Sequence, residues 1–463
     1  MKVYLSTLGC KLNESELEAW ARQFARDGYE IVDDVRDADL CVLNTCTITH
    51  IAARKSRQLA RQLARTNPHA RLVLTGCHVT VAPDEVKSLP NVALVVPNAE
   101  KERLVALAEF EIHNSNLQSR ISNLPPPNSK FQCPIENRKS AIENHKSETI
   151  HPTSEIPHPR TRAFVKIQDG CNMSCSYCII PLARGKERSR SHEEIVAEVK
   201  WLVGAGYKEI VLTGVQISAY EDCEANLKFA LRDLVAAILA ETDVPRLRLS
   251  SIAPWDVDES LLALWRDPRL CRHLHLSLQS GCDAVLQRMR RPYTTAQLAR
   301  VAELAREHIP DVGITTDVIV GFPGESEAEF EQSLGFVETM RFSRVHVFPY
   351  SPRAGTLAAT MPQVANAVRE SRASRMQVVA DASLGAFARR FVGRTMQVLW
   401  ETSADDRLPT ADDGGQRSAV GGLWSGYTDN YIRVFTASAT WLMNQIASAR
   451  LVDVIDGGAA AVL

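Results

Sequence analysis

Three cysteines packed into one short run, Cys171, Cys175 and Cys178 in CNMSCSYC, follow directly on the apolar segment Ala163 to Gln168. This places a loop bearing three thiols at the mouth of a buried strand, and the chain must fold around whatever those thiols hold. Three thiolates on one short loop can bind three irons of a 4Fe-4S cluster and leave the fourth iron open to a substrate. A zinc site normally offers two CxxC-type pairs and closes its tetrahedron. A ferredoxin run has shorter first gaps and a fourth cysteine before proline. Here the gaps are three residues and then two, and no fourth cysteine is nearby.

The segments around this loop alternate strand and helix. Val3 to Thr7, Asp39 to Asn44 and Arg71 to Thr75 read as strands, with helices expected over Glu14 to Arg26 and Ala52 to Arg65. Such alternation argues for a parallel sheet with covering helices. Cys10, Cys46 and Cys77 each follow one of these strands, in LGC, NTC and TGC. Ligands of open α/β sheets bind where strand ends and loops converge, so three cysteines far apart in sequence meet on one rim as a second three-thiol site. Cys41 lies inside a strand and reads as packing.

Six further strands are expected at Ala163 to Gln168, Glu209 to Thr213, Arg246 to Ser250, His273 to Ser277, Gly313 to Val320 and Arg344 to Phe348. Six βα units make a partial barrel, with its chemistry at the carboxyl ends of the strands. Cys171, Gln216, Ser251, Gln279, Gly321 and Tyr350 are therefore expected to ring one cavity, and the missing two strands to leave a lateral opening for a bulky substrate. The tail carries strands at Met396 to Trp400, Tyr431 to Phe435 and Arg450 to Ile455, suited to a small β-barrel. Its segment GYTDNYIRV serves either as a base-stacking face or as plain core. The expected fold class is thus α/β throughout, with a parallel α/β domain over 1–110, a partial (β/α)6 barrel over 161–390 and a small β-barrel over 391–463. Between them, 111–160 holds PPP, the near-repeat IEN and four histidines with Cys133 at irregular spacing, and reads as a flexible linker or insertion.

At 463 residues the chain has material for several cores. It has no apolar run of about eighteen residues, and Met1 to Cys10 is not a signal peptide. A cytoplasmic location with no membrane partner is expected. There, eleven cysteines serve as metal ligands or free thiols rather than disulfides. A net charge of −2 requires any basic surface to be local. Arg54, Arg57, Arg61 and Arg65 share one helix face beside Lys55, and Arg184, Lys186, Arg188 and Arg190 follow the cysteine loop. Either group serves as an RNA phosphate contact or as a solvated surface.

TLGCKLNESELE, NTCTIT, TGC and KIQDGCNMSCSYCIIPLARGKERSR together resemble the radical S-adenosylmethionine (SAM) methylthiotransferases, and the tail is similar to their small RNA-binding TRAM barrel. The likeness spans all but 111–160. It implies a SAM-binding 4Fe-4S cluster on Cys171, Cys175 and Cys178 and an auxiliary 4Fe-4S cluster on Cys10, Cys46 and Cys77. One SAM methylates sulfur on the auxiliary cluster, and a second yields the radical that takes hydrogen from the substrate. Tyr177, Gly214, Gln216 and Gln279 fall where a SAM pocket is expected, although LTGVQISAY replaces the GGE run common in radical SAM proteins. GFPGE at Gly321 to Glu325 either admits SAM closely or serves a turn. No catalytic Ser, His, Asp set is visible or required, since the cofactor supplies the radical.

Within the family the substrate is adenosine 37 of tRNA bearing an isopentenyl or a threonylcarbamoyl group, or an aspartate of a ribosomal protein. GCKLN resembles the threonylcarbamoyl branch, and Lys11 or the run Arg184 to Arg190 is expected to meet that group's carboxylate. The implied partners are tRNA, a low-potential electron donor and a sulfur donor. The tail is expected to contact tRNA and to be separable from SAM cleavage. The non-enzymatic alternative, an iron–sulfur electron carrier or a plain RNA-binding module, fits poorly with two sites that each lack a fourth cysteine.

Overall fold

The computed structural model describes residues 1–112, 161–224, 227–403 and 422–463. The expected linker, Cys133 and its histidines lie outside them, apart from the end of a helix over 104–112.

The first domain is a five-stranded, all-parallel sheet. Its order is Glu30–Ile31, Lys2–Thr7, Leu40–Thr45, Arg71–Gly76, Val92–Val96. Leu40–Thr45 is buried at every position, as a central parallel strand covered on both faces must be. Strand order reverses between Lys2–Thr7 and Leu40–Thr45, which makes their carboxyl ends a topological switch point. Cys10 and Cys46 leave from those two ends, and Cys77 follows the next strand. Helix Lys11–Arg26 begins three residues earlier than its apolar period indicates, and buries Leu12, Glu16, Trp20 and Phe24 at steps of four. The acidic Glu16 inside that stripe is the first sign of a polar site beneath the helix. Helix His50–Thr66 is capped by Thr49, whose hydroxyl accepts from Ala52 N at 3.1 Å. It buries Ala53, Ser56, Ala60, Leu63 and Ala64.

The six expected βα units are present. Arg162–Lys166, Glu209–Thr213 and Leu247–Leu249 pair in parallel, as do Ser251–Ile252, His273–Leu276, Gly313–Val320 and Arg344–Pro349. The third strand, expected as one piece, is divided at Ser250 between the two sheets. Among the described residues the two edge strands, Arg162–Lys166 and Arg344–Pro349, do not pair, so the barrel stays open. The lateral opening is narrower than six strands alone imply. Helix Lys11–Arg26 packs along the first edge strand and helix Asn366–Arg389 along the last. A cavity of about 500 Å³ remains beside the last strand, lined by His346, Phe348, Asp381 and Gly458 among others.

The tail closes into a five-stranded barrel ordered Thr395–Ser403, Gly422–Thr428, Arg433–Ser438, Gly458–Val462, Ile446–Ile455. Two of these strands, Gly422–Thr428 and Gly458–Val462, are additions to the three read from sequence. Tyr431 is in no strand. It occupies a left-handed turn at φ 72°, and its ring stacks on Tyr427 at 4.9 Å between centroids. These aromatics face the amino ends of the partial-barrel strands. The Tyr431 ring lies 4.6 Å from that of His273 and beneath the Arg248 guanidinium at 4.7 Å, while Arg162 covers Tyr427 at 5.0 Å. Arg248 pairs with buried Glu209 at 2.6 Å and donates to Asp429 O at 3.0 Å, and Arg272 meets Asp429 at 2.6 Å. GYTDNYIRV therefore packs against the floor of the central barrel, where Tyr427 and Tyr431 are half-buried among Arg162, Arg248 and His273.

Candidate cluster and substrate site

The loop of Cys171, Cys175 and Cys178 is fixed from several sides. Cys171 N donates to Gly185 O at 3.1 Å, Ser176 Oγ to Arg288 O at 2.7 Å, and Ala358 N to Ser176 O at 2.7 Å. Arg291 reaches the loop, its Nη1 3.3 Å from Cys175 Sγ, while its guanidinium stacks on Trp255 and Tyr293. Burial pushes the Cys178 thiol up to about 12 and raises that of Cys171. A nucleophilic cysteine needs the opposite shift. Cysteines grouped in threes, with Cys171 and Cys178 disfavoured as bare thiolates by burial, fit metal ligands, because a bound cation supplies the charge that makes thiolates stable there.

The second trio shows the same chemistry. Burial raises Cys10 and pushes Cys46 up to about 11, and both feel the field of Cys77, so the three thiols share one site. Cys10, Cys46 and Cys77 are free thiols, as are Cys171, Cys175 and Cys178. Gly9 has φ 121°, and a Cβ there would stand 2.9 Å from Cys46 Sγ, so only glycine lets the chain turn from strand to Cys10 against Cys46. Cys41 is buried at 2% exposure and packs in the sheet core, as expected.

One buried polar network joins the two trios. Helix Ile180–Arg184 follows Cys178 and ends on Arg184, whose Nη2 donates to Asn13 Oδ1 at 2.7 Å and whose Nη1 lies 3.0 Å from both Glu16 and Asp169. Lys101 pairs with Glu16 and stands 3.0 Å from Asp169. Asn13 donates to Leu8 O at 2.7 Å, and Asn98 donates to Ala183 O at 2.6 Å with Cys77 Sγ 3.6 Å away. Burial disfavours the Glu16 carboxylate, yet the charges of Arg184, Lys101 and Lys166 outweigh it and hold the group down at about 2. The fields of Arg184 reach Cys10 and Cys46 as well. Arg184 is therefore structural to both sites. Its engagement removes it from the expected contacts with tRNA phosphate or a substrate carboxylate. Arg190 is likewise held by Glu198 at 2.7 Å, which leaves Lys186 and Arg188 as the exposed members of that run. Arg57 pairs with Glu85 at 3.1 Å, while Arg54, Lys55, Arg61 and Arg65 are exposed.

Of the residues expected around SAM, Gln216 stands with its Oε1 3.6 Å from Cys171 Sγ. Gly214 lies where a Cβ would come within 2.8 Å of Gln168 O, and Gln168 Oε1 accepts from both Val215 N and Gln216 N. Gln279 sits at φ 67° at the end of its strand, bridged to Val318. Tyr177 packs edge-on against Phe322, which in turn meets Tyr350. In GFPGE, Glu325 accepts from Gly321 N at 2.6 Å and pairs with Arg372 at 2.7 Å, so the turn is anchored to helix Asn366–Arg389. Sequence reading missed Glu16, Asn13, Asn98, Lys101 and Arg291. Only the first carries a local signal, an acid inside an apolar helical stripe.

The chain matches the family model described as the radical SAM superfamily over residues 165–337 and that described as uncharacterized protein family UPF0004 over residues 2–97. It is 34% identical to the threonylcarbamoyladenosine tRNA methylthiotransferase MtaB of Bacillus subtilis (strain 168), covering 97% of this chain and 93% of that protein. The enzyme of the same name from Thermotoga maritima is 35% identical, covering 93% and 90%. The tRNA-2-methylthio-N(6)-dimethylallyladenosine synthase of Anoxybacillus flavithermus is 32% identical, covering 96% and 82%. Among solved structures, the radical S-adenosylmethionine methyltransferase TsrM from Kitasatospora setae superposes with a TM-score of 0.51 at 17% identity, covering 76% of this chain and 74% of that one, a likeness of fold. With relatives of this identity aligned over almost its whole length, the chain belongs to the radical SAM methylthiotransferase family.

Proposed function

We propose that this chain adds a methylthio group to carbon 2 of threonylcarbamoyladenosine at position 37 of tRNA. The observation that carries the reading is the convergence of the two cysteine trios on one buried network, Asn13, Glu16, Asp169, Arg184 and Asn98. The names of the relatives that cover the chain supply the substrate. When bound, SAM and the two 4Fe-4S clusters supply the radical and the sulfur that an unactivated C–H bond requires.

In this reading Cys171, Cys175 and Cys178 hold the SAM-binding cluster, and Cys10, Cys46 and Cys77 the auxiliary one. Gln216, Gly214, Gln279 and Tyr177 line the SAM pocket, supported by the approach of Gln216 to Cys171. Arg291, stacked on Trp255 and Tyr293, braces the first loop. Arg184 and Asn98 hold the two sites in register, so that neither moves when substrate enters. The division into 1–110, 161–390 and 391–463 assigns sulfur supply to the first unit and hydrogen removal to the second. Exposed Arg54, Lys55 and Arg61 meet tRNA phosphates. A reductant of low potential and a sulfur donor complete the cycle in the cytoplasm. Among the described residues no helix is long and apolar enough to cross a membrane.

The test separates the trios. Alanine at Cys10, Cys46 and Cys77 is expected to halve the iron of anaerobically reconstituted protein, from about eight to about four per chain. It should abolish methylthiolation while 5′-deoxyadenosine is still formed from SAM. Methylthiolation at the parental rate in that variant would contradict the assignment.

A further inference from the structure

Inside the partial barrel, four side chains from four different segments stand together without a role in holding either cluster. Register places them on one face. His275 pairs with Thr315 on the neighbouring strand, and Asp317 lies directly opposite His346 on the next. His275 Nδ1 shares a hydrogen bond with Thr315 Oγ1 at 2.9 Å, and its Nε2 faces Asp317 Oδ2 at 3.4 Å. Burial acts to raise the Asp317 carboxyl, but the His275 contact and the fields of His275, His346 and Lys11 prevail and keep it ionised. That contact leaves His275 Nε2 short of a well-formed hydrogen bond.

The fourth member, Lys11, comes from the first domain. It is the first residue of helix Lys11–Arg26, a place that favours acids, because the amino end of a helix is positive. Its ammonium stands 5.8 Å from the centre of the Tyr431 ring and makes no ion pair among the described residues. Its field reaches His273, Asp317 and His346. Half-buried, set against its own helix dipole and with no direct carboxylate contact among the described residues, this ammonium is available to an incoming anion.

We propose that Lys11, His275, Asp317 and His346 form the subsite that receives an amino-acid group carried on the substrate base. The carboxylate of that group meets Lys11 and the imidazoles, and its hydroxyl or ureido N–H donates to Asp317. This rests on the reading of the substrate as threonylcarbamoyladenosine. The donor set matches that group in kind: a carboxylate calls for a cation, here Lys11, and for N–H donors, here the imidazoles, while a hydroxyl or N–H calls for an ionised acceptor. A branched hydrocarbon at the same place would leave these polar groups without partners, which is the strongest form of rejection a binding site has. His275, Asp317 and His346 also offer ligand atoms within 4.8 Å of one another, a spacing open to a divalent ion. The nearby Lys11 ammonium opposes a cation and favours an anion.

The experiment measures equilibrium binding of an anticodon stem-loop RNA to the reconstituted enzyme, with the threonylcarbamoyl carboxylate either free or converted to its amide. The parent enzyme should bind the free acid about tenfold or more tightly than the amide, as one charge-assisted contact provides. In Lys11→Met and in His346→Phe that preference should fall to about twofold or less, and Lys11→Arg should restore it. A variant that weakens both RNAs by the same factor has lost structure rather than recognition, and would overturn the proposal. So would stoichiometric divalent metal in the parent that His346→Phe removes. Failure of the parent enzyme to methylthiolate the free-acid RNA at all would instead strike the substrate reading, and a separate product assay reports it.

Discussion

At Arg184 a guanidinium with 1% side-chain exposure is held between the carboxylates of Glu16 and Asp169 and the side-chain amide oxygen of Asn13. Removing one partner of such a cluster leaves buried charge uncompensated, which typically costs about 3–5 kcal/mol. Arg184→Met should therefore lower the midpoint of thermal unfolding by several degrees and release iron from the Cys10, Cys46 and Cys77 site. An unchanged midpoint with full iron content would show that the network is dispensable. Glu209 makes a second case, away from both clusters. Burial acts to raise its carboxyl, yet Arg248, Arg162 and Arg246 hold it at about 2, against an ordinary value of 4.5. A depressed carboxyl contributes stability that is present above about pH 4.5 and lost as pH falls toward 2. Chemical denaturation across that window should show the parent losing stability more steeply than Glu209→Gln, and equal slopes would contradict the pairing. Neither residue stands out in the sequence as a buried ion, because each partner comes from a distant segment.

Among the elements, the tail departs most from expectation. Sequence reading made it an RNA contact separable from the chemistry. In the structure Asp429, Tyr427 and Tyr431 seal the floor of the central barrel and neutralise part of its buried arginine cluster. Ending the chain before Gly393 should therefore destabilise the central domain and reduce SAM cleavage, read by thermal unfolding and by 5′-deoxyadenosine yield. Full SAM cleavage by a truncated protein of parental thermal stability would return the tail to a separable role. Of the two strands that sequence reading missed, GLWSGYT is interrupted by glycine at two positions, and GAAAV is mostly alanine after its glycine. Barrel closure and pairing with Arg433–Ser438 and Ile446–Ile455 hold them extended, not their own propensity. By contrast, LCVLNT and GITTDVIV were legible because β-branched and apolar residues dominate each run.

In the whole molecule, what could be read from sequence follows from how far apart the cooperating residues lie. The loop of Cys171, Cys175 and Cys178 is local, and spacing alone announces it. Cys10, Cys46 and Cys77 were reachable through the rule that strand ends share one rim, and the parallel order of the first sheet places them there. Lys11 was expected at the substrate carboxylate from its place beside Cys10, but its grouping with His275, Asp317 and His346 was beyond that logic, since it needs the register of three barrel strands and the docking of helix Lys11–Arg26 on the first edge strand. On the proposed assignment two domains build one reaction chamber: the first supplies Lys11 and one trio of thiols, the second the other trio and the barrel walls. The most direct test of this account is to incubate the reconstituted enzyme, SAM, a reductant and a sulfur source separately with tRNA bearing threonylcarbamoyladenosine and with tRNA bearing isopentenyladenosine. The nucleosides are then read by mass spectrometry. The account predicts the 2-methylthio product from the threonylcarbamoyl tRNA, with little or none from the isopentenyl tRNA; product from the isopentenyl tRNA alone, or from neither, would contradict it.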